Sequence, residues 1–353
     1  MTGQAISTVV FEGFKFVDEI ETHSDVKEIF VDLAIFIVGW EQRSLSMLES
    51  GKVAGKKALL VNFEGDEIPE KERSRFASIA SKNFNKVDNI QLCNARNVDQ
   101  LRGELEKLVN DLAQEEAREI AVDYSSMPRV MVQTLFRLLM SEGVSPRVHW
   151  LYSAGLYDAT EVVDADFHQG VSGDLFSVHG AYGAGAVSGK RIGIAALGGD
   201  QELVATFLRH ENYDEVFFID APAQSSPKLQ KKIELQRLWL QAEHGIASDR
   251  FHTCDEHNVV DAIKIFSQLI SEFERFPNTS FDIFCAGPKS HSIAASAIVS
   301  RHENVRLLGR VPAKYARLKV APTGSCTITT VSDYTNIKIA EVLSRANGSP
   351  KTC

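Results

Sequence analysis

The segment DYSSMPR, residues 123–129, groups an acid, two hydroxyls and an arginine. Asp123 follows a short apolar run, and the proline suits the first turn of a helix. Ser125 and Ser126 can donate hydrogen bonds to anionic oxygens, and Arg129 can neutralise them. Because a helix cap needs only one such side chain, this pattern favours a ligand site over a simple cap.

A second polar turn, CAGPKSHS at residues 285–292, precedes a run of small residues. Gly287 and the proline after it stop a strand. Lys289 and Ser290 then stand where a helix begins and can hold an anion. The spacing is not that of a Walker loop. His291 can act as a general base or can hydrogen-bond a phosphate, although a solitary histidine more often does neither.

A third turn, GWEQRS at residues 39–44, follows the first long apolar run. Gly39 allows the chain to turn sharply, and the planar guanidinium of Arg43 can hold a phosphate or a carboxylate. The alternative is a Ser44 helix cap beside a Glu41–Arg43 pair on the surface. The residues alone leave both interpretations open.

Two further segments complete the candidate ligand-binding residues. Gly198 and Gly199 permit a ligand to approach the backbone closely, but no GxGxxG follows, so the nicotinamide-cofactor fingerprint is absent. Thr323 and Ser325, in the segment PTGS, can close the same pocket. We identify no cofactor and no cluster of metal ligands in the sequence. The signatures of metalloproteases, α/β-hydrolases and kinases are also absent from it.

The elements that position these turns follow from the hydrophobic pattern. Short apolar runs alternate with segments of helical period, which indicates βαβ units and a mainly parallel sheet. The predicted strands are 32–38, 58–63, 89–93, 119–122, 147–152, 191–196, 215–219, 283–285, 305–308 and 318–321. The predicted helices are 44–50, 70–83, 98–114, 129–141, 201–209, 229–242, 258–276 and 290–301. The predicted fold class is therefore α/β, with two Rossmann-like halves that each contain a mainly parallel sheet flanked by helices.

The glycine-rich segment 170–190 separates the two halves in the sequence. Glycine at this density disfavours helices and strands, which predicts a linker, with a flexible lid or a glycine-rich ligand loop as the alternative. The predicted division is 1–169, a linker over 170–190, and 191–353. The strand ends bearing the polar turns are similarly spaced in both parts, which suggests a duplicated unit.

Composition places the chain among ordinary globular proteins. Its 353 residues exceed what one core usually holds, and the net charge of −9 disfavours broad nucleic-acid binding. The five cysteines are scattered, which is typical of free thiols in a reducing compartment. With no signal-peptide pattern and no long apolar run, the sequence predicts a cytoplasmic protein without a membrane partner.

The motifs GWEQRS and DYSSMPR, followed by LGGD, GPKSHS and PTGS, resemble those of poorly characterised bacterial proteins associated with antiviral defence loci. The pattern is also similar to the CRISPR-associated Rossmann-fold (CARF-like) sensor domains. This resemblance implies tandem Rossmann-like domains that bind a nucleotide at turns rich in Ser, Thr, Lys and Arg. It also implies a homo-oligomer and a separate effector protein as partners.

Three hypotheses for the function remain open at this stage. The first is a sensor or regulatory subunit that binds a nucleotide or another phosphorylated small molecule. The second is an enzyme acting on nucleotides or nucleic acid, of the hydrolase or nuclease type, with Asp123 or His291 as its acid/base group. The third is an interaction scaffold without a ligand. Ligands of parallel sheets bind beyond the carboxyl ends of the strands, so we expect the turns at Gly39 and Asp123 to be adjacent, with Arg43 and Arg129 facing one crevice. We likewise expect the Gly287 turn to face an open pocket.

Overall fold

The computed structural model describes residues 5–11, 14–22, 28–39, 41–65, 68–94, 96–140, 146–157, 175–179, 189–223, 226–311 and 320–333. Among these residues the strands form an eight-stranded sheet and a six-stranded sheet, both flanked by helices. The α/β fold class predicted from the sequence is confirmed.

The first sheet has the order β1-β2-β14-β7-β6-β3-β4-β5. Its strands are β1 Ala5–Phe11, β2 Phe14–Thr22, β3 Ile29–Ile37, β4 Val53–Phe63, β5 Phe84–Leu92, β6 Glu119–Asp123, β7 Arg147–Tyr157 and β14 Val320–Asp333. Its helices are α1 Ser46–Glu49, α2 Glu70–Asn83, α3 Val98–Gln114 and α4 Arg129–Leu139. Strands β3 to β7 are parallel, whereas β14, β2 and β1 pair antiparallel.

The second sheet has the order β11-β10-β9-β12-β13-β8. Its strands are β8 Phe176–His179, β9 Arg191–Ala196, β10 Glu215–Asp220, β11 Phe251–Thr253, β12 Ser280–Cys285 and β13 Val305–Gly309. Its helices are α5 Gln201–His210, α6 Pro227–His244, α7 Val259–Glu274 and α8 Lys289–Val299. Only β8 pairs antiparallel among these strands.

The parallel parts of the two sheets share one topology. If the five parallel strands of each sheet are counted along the chain, both run in the order 3-2-1-4-5, which is the Rossmann arrangement. In both sheets the order reverses between the first and fourth of these strands. These switch points lie between β3 and β6 and between β9 and β12. The common order supports the duplication that the sequence suggested.

The two sheets exchange strands along the chain. After β7, the chain supplies β8 to the edge of the second sheet beside β13, and after β13 it supplies β14 to the first sheet beside β7. The sequence division placed residues 320–333 in the second half, but they pair with the first sheet. Of the predicted linker, 170–174 and 180–188 lie outside the described residues, and β8 is a strand within it. The predicted strand 318–321 is described only from residue 320, where β14 begins.

Helix α3 shows how the pattern fixes the packing. Its leucines at 101, 105, 108 and 112 are all buried, as their spacing predicts, and Asn97 caps its first turn by accepting a hydrogen bond from the Gln100 N–H. One of the apolar clusters continues from the first half into the second, because α4 packs against α8. This contact brings the first turns of α4 and α8, and the polar loops before them, together.

Candidate functional site

The turns after β3 and β6 lie side by side, as expected. The two strands pair in parallel register, with Leu33 opposite Ile120 and Ile35 opposite Val122. A Cβ on Gly39 would lie 3.3 Å from Ser126 Oγ, so the two turns are in close contact. The polar residues of both turns therefore meet at the switch point of the first sheet.

Arg43 is buried at this switch point, with 2% of its surface exposed. It lies in a 3-10 turn, Gln42–Leu45, between β3 and α1. Its Nε donates to Glu41 Oε2 at 2.5 Å, and its Nη1 donates to the Tyr152 hydroxyl at 3.2 Å. The Glu41–Arg43 pair thus exists, but it is not the surface pair of the alternative interpretation. The Glu41 carboxylate and the Tyr152 hydroxyl compensate the cost of burying this guanidinium.

Asp123 ends β6 with a carboxylate that is 3% exposed. Its Oδ1 accepts hydrogen bonds from the Ser125 N–H at 2.9 Å and from the Ser125 hydroxyl at 2.5 Å. Its Oδ2 is buried and has no hydrogen-bond partner. Burial raises the pKa of Asp123 to about 6, although the Ser125 hydrogen bonds and the charges of Arg43 and Lys289 act in the opposite direction.

Two cations cross between the halves. Lys289 Nζ donates to the Ser125 carbonyl at 2.6 Å, and Arg129 Nη2 donates to the Gly287 carbonyl at 2.5 Å and the Ala286 carbonyl at 3.3 Å. Each cation is the first residue of its helix and directly follows a proline. The contacts are reciprocal, because each cation donates to a backbone carbonyl of the opposite half. We call Glu41, Arg43, Asp123, Arg129 and Lys289 the interface cluster.

These contacts change two expectations. The turn after β12 faces the first half of the protein, not an open pocket, because α8 packs on α4. The Arg129 guanidinium, expected to face an open crevice, likewise donates to backbone carbonyls of the second half. Burial lowers the pKa of Lys289 to about 7, and the positive charges of Arg43 and Arg129 lower it further, against the charges of Glu41 and Asp123.

The switch point of the second sheet is filled by the protein itself. A Cβ on Gly198 would lie 2.3 Å from the Ala286 carbonyl oxygen, and one on Gly287 would lie 2.4 Å from that of Leu197. The buried Gln236 of α6 accepts from the Gly199 N–H at 2.9 Å and donates to the Asp200 carbonyl at 2.6 Å. The predicted ligand contacts of Gly198 and Gly199 are therefore taken by packing and by Gln236.

His291 lies behind this turn and is completely buried. Its Nε2 is 3.2 Å from Cys254 Sγ, and its Nδ1 has no partner. Burial lowers the pKa of His291 to about 3, and Arg129 and His257 lower it further, so the ring is neutral at pH 7. Its neighbour Ser290 donates from its hydroxyl to the Glu256 carbonyl at 2.7 Å, which ties the turn to the loop after β11.

A cleft of about 530 Å³ opens between the end of the first sheet and the loops after β10 and β11. Its lining residues are Ala154, Pro222, Thr253, Cys254, Asp255, Glu256, His257, Asp261, Thr323 and Ser325. Thr323 and Ser325 were predicted from the sequence. The others were not, because nothing in an isolated loop such as TCDEHN indicates which strand ends it will oppose.

The cleft is linked to the interface cluster through two rings. His257 lines the cleft and lies against Tyr152, with ring centroids 5.4 Å apart, and the Tyr152 hydroxyl accepts from Arg43. Burial lowers the pKa of His257; the charge of Asp255 opposes this shift, and that of Arg43 adds to it. Burial and the neighbouring Asp255 raise the pKa of Glu256 to about 7. Tyr152 is the functional candidate that the sequence could have given, since it ends a predicted strand next to that of Asp123.

Comparisons with known proteins assign no family to this chain. No family model matches the chain, and no curated protein matches it. Among solved structures, a protein of unknown function from Pseudomonas aeruginosa PAO1 is 13% identical, with 79% of this chain and 92% of that chain covered and a TM-score of 0.26. A putative universal stress protein from Pseudomonas aeruginosa UCBPP-PA14 is 12% identical over the same shares, with a TM-score of 0.27. The UDP-GlcNAc 2-epimerase from Neisseria meningitidis, bound to UDP-GlcNAc, is 10% identical over 72% of this chain and 76% of that chain, with a TM-score of 0.24.

Two further features of the described residues bear on membranes and metals. None of the helices among them is both long and apolar enough to span a membrane. Within the same part of the chain, no group of three or more His, Cys, Asp or Glu side chains is arranged to hold a metal ion.

Proposed function

We propose that this protein binds a nucleotide or a similar phosphorylated small molecule in the cleft, with the phosphate directed toward the interface cluster. The observation that carries the proposal is the cluster itself, in which both halves contribute buried or partly buried cations. Tyr152 and His257 connect the cluster to a cleft of about 530 Å³. This volume lies within the range of small-molecule sites.

The charges of the interface cluster favour an anion. Arg43, Arg129 and Lys289 face two carboxylates, of which Glu41 is paired with Arg43 and Asp123 has its pKa raised to about 6. Arg129 and Lys289 use backbone carbonyls of the opposite half as acceptors. A phosphate oxygen is a stronger acceptor than a carbonyl, so an arriving phosphate can replace these contacts.

The cleft suits the uncharged part of such a ligand. Its hydroxyls and carboxylates, among them Thr253, Thr323 and Asp261, can accept from and donate to sugar hydroxyls. Its acidic lining would repel a phosphate, which supports an orientation with the phosphate at the basic end. Glu256, with its pKa near 7, is largely uncharged below neutral pH and can then donate a hydrogen bond.

Calorimetry with ribonucleoside mono- and triphosphates tests the proposal. Lys289→Met should weaken binding by about 1–3 kcal/mol, the range for a lost charge-assisted hydrogen bond. The matched control is Lys190→Met, because Lys190 pairs with Glu215 at the amino end of the second sheet, away from the cluster. Equal affinities of wild type and Lys289→Met for a nucleotide that binds would contradict the proposed phosphate site.

One observation favours a second function, an enzyme acting on nucleotides or nucleic acid. Asp123 Oδ2 has no partner, and Asp123 and Lys289 have pKa values of about 6 and 7, which suit a general base and a general acid at neutral pH. His291 fits this role less well, since it is completely buried with its Nε2 toward Cys254. Turnover of a bound nucleotide that Asp123→Asn abolishes would support the enzyme, and binding without turnover would support a sensor.

A sensor role in antiviral defence rests on the motif resemblance, and ligand binding is its first requirement. Mass spectrometry of small molecules released from the purified, denatured protein would identify the ligand. A protein that releases none and binds no nucleotide would fit the scaffold hypothesis instead.

A further inference from the structure

The outer face of helix α6 carries two exposed leucines at its centre. Leu235 is 51% exposed and Leu238 is 59% exposed, whereas Ile233, Gln236 and Leu240 on the opposite face are buried. Residues three apart on a helix are neighbours, so the two leucines form one patch. Adjacent exposed leucines leave apolar area in water and mark a surface that another surface can cover.

The residues around this patch have the spacing of a helix-pairing seam. Lys231 precedes Leu235 by four residues, Ala242 follows Leu238 by four, and both are exposed. Intervals of four, three and four place these side chains on one face, as in helices that pack lengthwise against another helix. We call Lys231, Leu235, Leu238 and Ala242 the α6 stripe.

The charges of α6 are arranged against the dipole of the helix. Lys228 and Lys231 lie in its first two turns, the first turn contains no acid, and Glu243 lies in the last turn. All three residues are exposed. The amino end of a helix favours anions and the carboxyl end favours cations, so this arrangement is unfavourable within one chain. An antiparallel helix with the same charges would compensate it, because its acidic end would lie beside the lysines and its basic end beside Glu243.

A second copy of α6 meets these requirements. A two-fold rotation about the middle of the stripe brings Leu235 opposite the partner's Leu238 and exchanges the basic end of the helix with the acidic end. Such a surface is complementary to itself, and two-fold dimers are the commonest protein assemblies. In this register Lys231 lies beside the last turn of the partner helix, whose free carbonyls carry negative partial charge. Lys228 comes within one helical turn of the partner's Glu243.

We propose that this protein forms a symmetric dimer through the α6 stripe, with the two helices antiparallel. The pairing does not depend on the proposed function, since the residues that line the cleft belong to other segments. One pair of helices buries less than the roughly 1,200 Å² of total surface that stable complexes usually bury. The dimer should therefore exchange with the monomer, with a dissociation constant of roughly 1–100 μM.

Analytical ultracentrifugation of the full chain, from about 1 to 300 μM, tests the proposal. The weight-average mass of wild type should rise with concentration from that of the monomer toward twice that value. Leu238→Glu places a charge at the centre of the seam and should raise the dissociation constant at least about 10-fold. The matched control is Phe30→Glu, because Phe30 is 66% exposed but lies on β3 of the first sheet. It should leave the dissociation constant unchanged.

A charge exchange tests the antiparallel orientation. Lys228→Glu and Glu243→Lys should each weaken the dimer at least about 3-fold, because like charges then meet twice in the symmetric interface. The variant with both substitutions brings opposite charges together again and should dimerise as tightly as wild type.

Circular dichroism and thermal unfolding establish that each variant is folded, and Leu235→Glu takes the place of Leu238→Glu should the latter fail to fold. A wild type that stays monomeric over the whole concentration range would overturn the proposal. A dimer that the folded leucine variant leaves unchanged would do so too, since it would form through another surface. A double charge variant as weak as the single ones would show that the basic and acidic ends do not meet, and would overturn the antiparallel pairing.

Discussion

The switch points of the two sheets share a strand order but differ in content. In the first, Gly39 and Ser126 meet beside the buried charges of Arg43 and Asp123, and a carboxylate oxygen is left without a partner. In the second, the backbones of the Gly198 and Gly287 turns are in close contact, and Gln236 accepts a hydrogen bond from the Gly199 N–H that a ligand could have used. The same position in the topology thus carries chargeable groups in one half and packing in the other.

This difference shows that the strand order determines where a site can lie, whereas the side chains at that position determine whether a site is present. Arg43 and Asp123 are buried at the first switch point, and the Lys289 ammonium group reaches it from the turn after β12. At the second, small residues allow contacts too close for any side chain. The contrast can be tested by perturbing each region separately, and the largest effect is expected where backbone meets backbone.

Gly287→Ala should be the most destabilising of these changes. Its Cβ would lie 2.4 Å from the Leu197 carbonyl oxygen, a contact that only a backbone shift can relieve. We expect the free energy of unfolding in urea to fall by about 3 kcal/mol or more. Gly103→Ala is the control, since a Cβ there meets nothing within 4 Å and helix α3 should gain up to about 1 kcal/mol. A loss of less than about 1 kcal/mol for Gly287→Ala would mean that the second switch point is not tightly packed.

The effect of Asp123→Asn on the free energy of unfolding should depend on pH, because Asp123 is buried at the first switch point. Folded protein holds the Asp123 proton up to about pH 6, whereas the unfolded chain releases it near 3.8, so the folded state binds more protons between these values. The free energy of unfolding of wild type relative to Asp123→Asn should therefore fall by about 3 kcal/mol as pH rises from 3.5 to 6.5, at about 1.36 kcal/mol per pKa unit. Above that range the difference should be constant.

Asp32 should give a pH dependence of stability opposite in sign to that of Asp123. Hydrogen bonds from Lys56 and from the N–H groups of Glu119 and Arg118 lower its pKa to about 2, against a smaller effect of burial. Wild type should therefore gain stability relative to Asp32→Asn as pH rises from 2 to 4. If the Asp123 difference also increased with pH, the carboxylate would be stabilised in the folded state and the contrast between the two acids would fail.

Gln236→Leu should affect stability and leave the ligand site intact. The change leaves the Gly199 N–H and the Asp200 carbonyl without their partner, which should cost about 2 kcal/mol in chemical denaturation. Nucleotide affinity should remain within about twofold of wild type by calorimetry. A large loss of affinity with normal folding would assign ligand binding to the second switch point as well.

Cleavage of the linker by limited proteolysis should have the smallest effect of these perturbations, because the two halves should stay associated. Glycine density predicts the first cut within 170–190. Because β8 pairs with β13 and β14 pairs with β7, the two fragments should co-elute in size-exclusion chromatography without denaturant. Fragments that separate in native buffer would show that the exchanged strands do not hold the halves together. A first cut inside 119–141 or 283–301 would contradict the predicted linker.

The sequence predicted the parallel core better than its antiparallel additions. The helices α2 and α3 match their predicted ranges, since their apolar spacing and caps are local signals. Strands β1, β2 and most of β14 were missed, because a strand such as VAPTGSCTITTVSD is rich in polar residues and depends on partners far away in the sequence.

The site follows the same division between local and distant information. The switch-point rule selected the turns holding Arg43, Asp123 and Lys289 from local patterns. The pairing of Lys289 with the Ser125 carbonyl, and the approach of His257 to Tyr152, arise from the packing of one half on the other. No short segment encodes such contacts, so the acidic lining of the cleft could not be predicted, although Thr323 and Ser325 were.

The position of β14 in the first sheet also determines when that sheet can be completed during translation. Within the described residues, β14 lies between β7 and β2, and the hairpin β1–β2 joins the first sheet through it. The hairpin is made before the other strands of this sheet, yet its place in the sheet does not exist until residues 320–333 have emerged from the ribosome. Pairings of such long sequence separation form slowly. The edge of β2 that pairs with β14 therefore stays unpaired while β3 to β13 are made, and an unpaired strand edge promotes aggregation of the nascent chain.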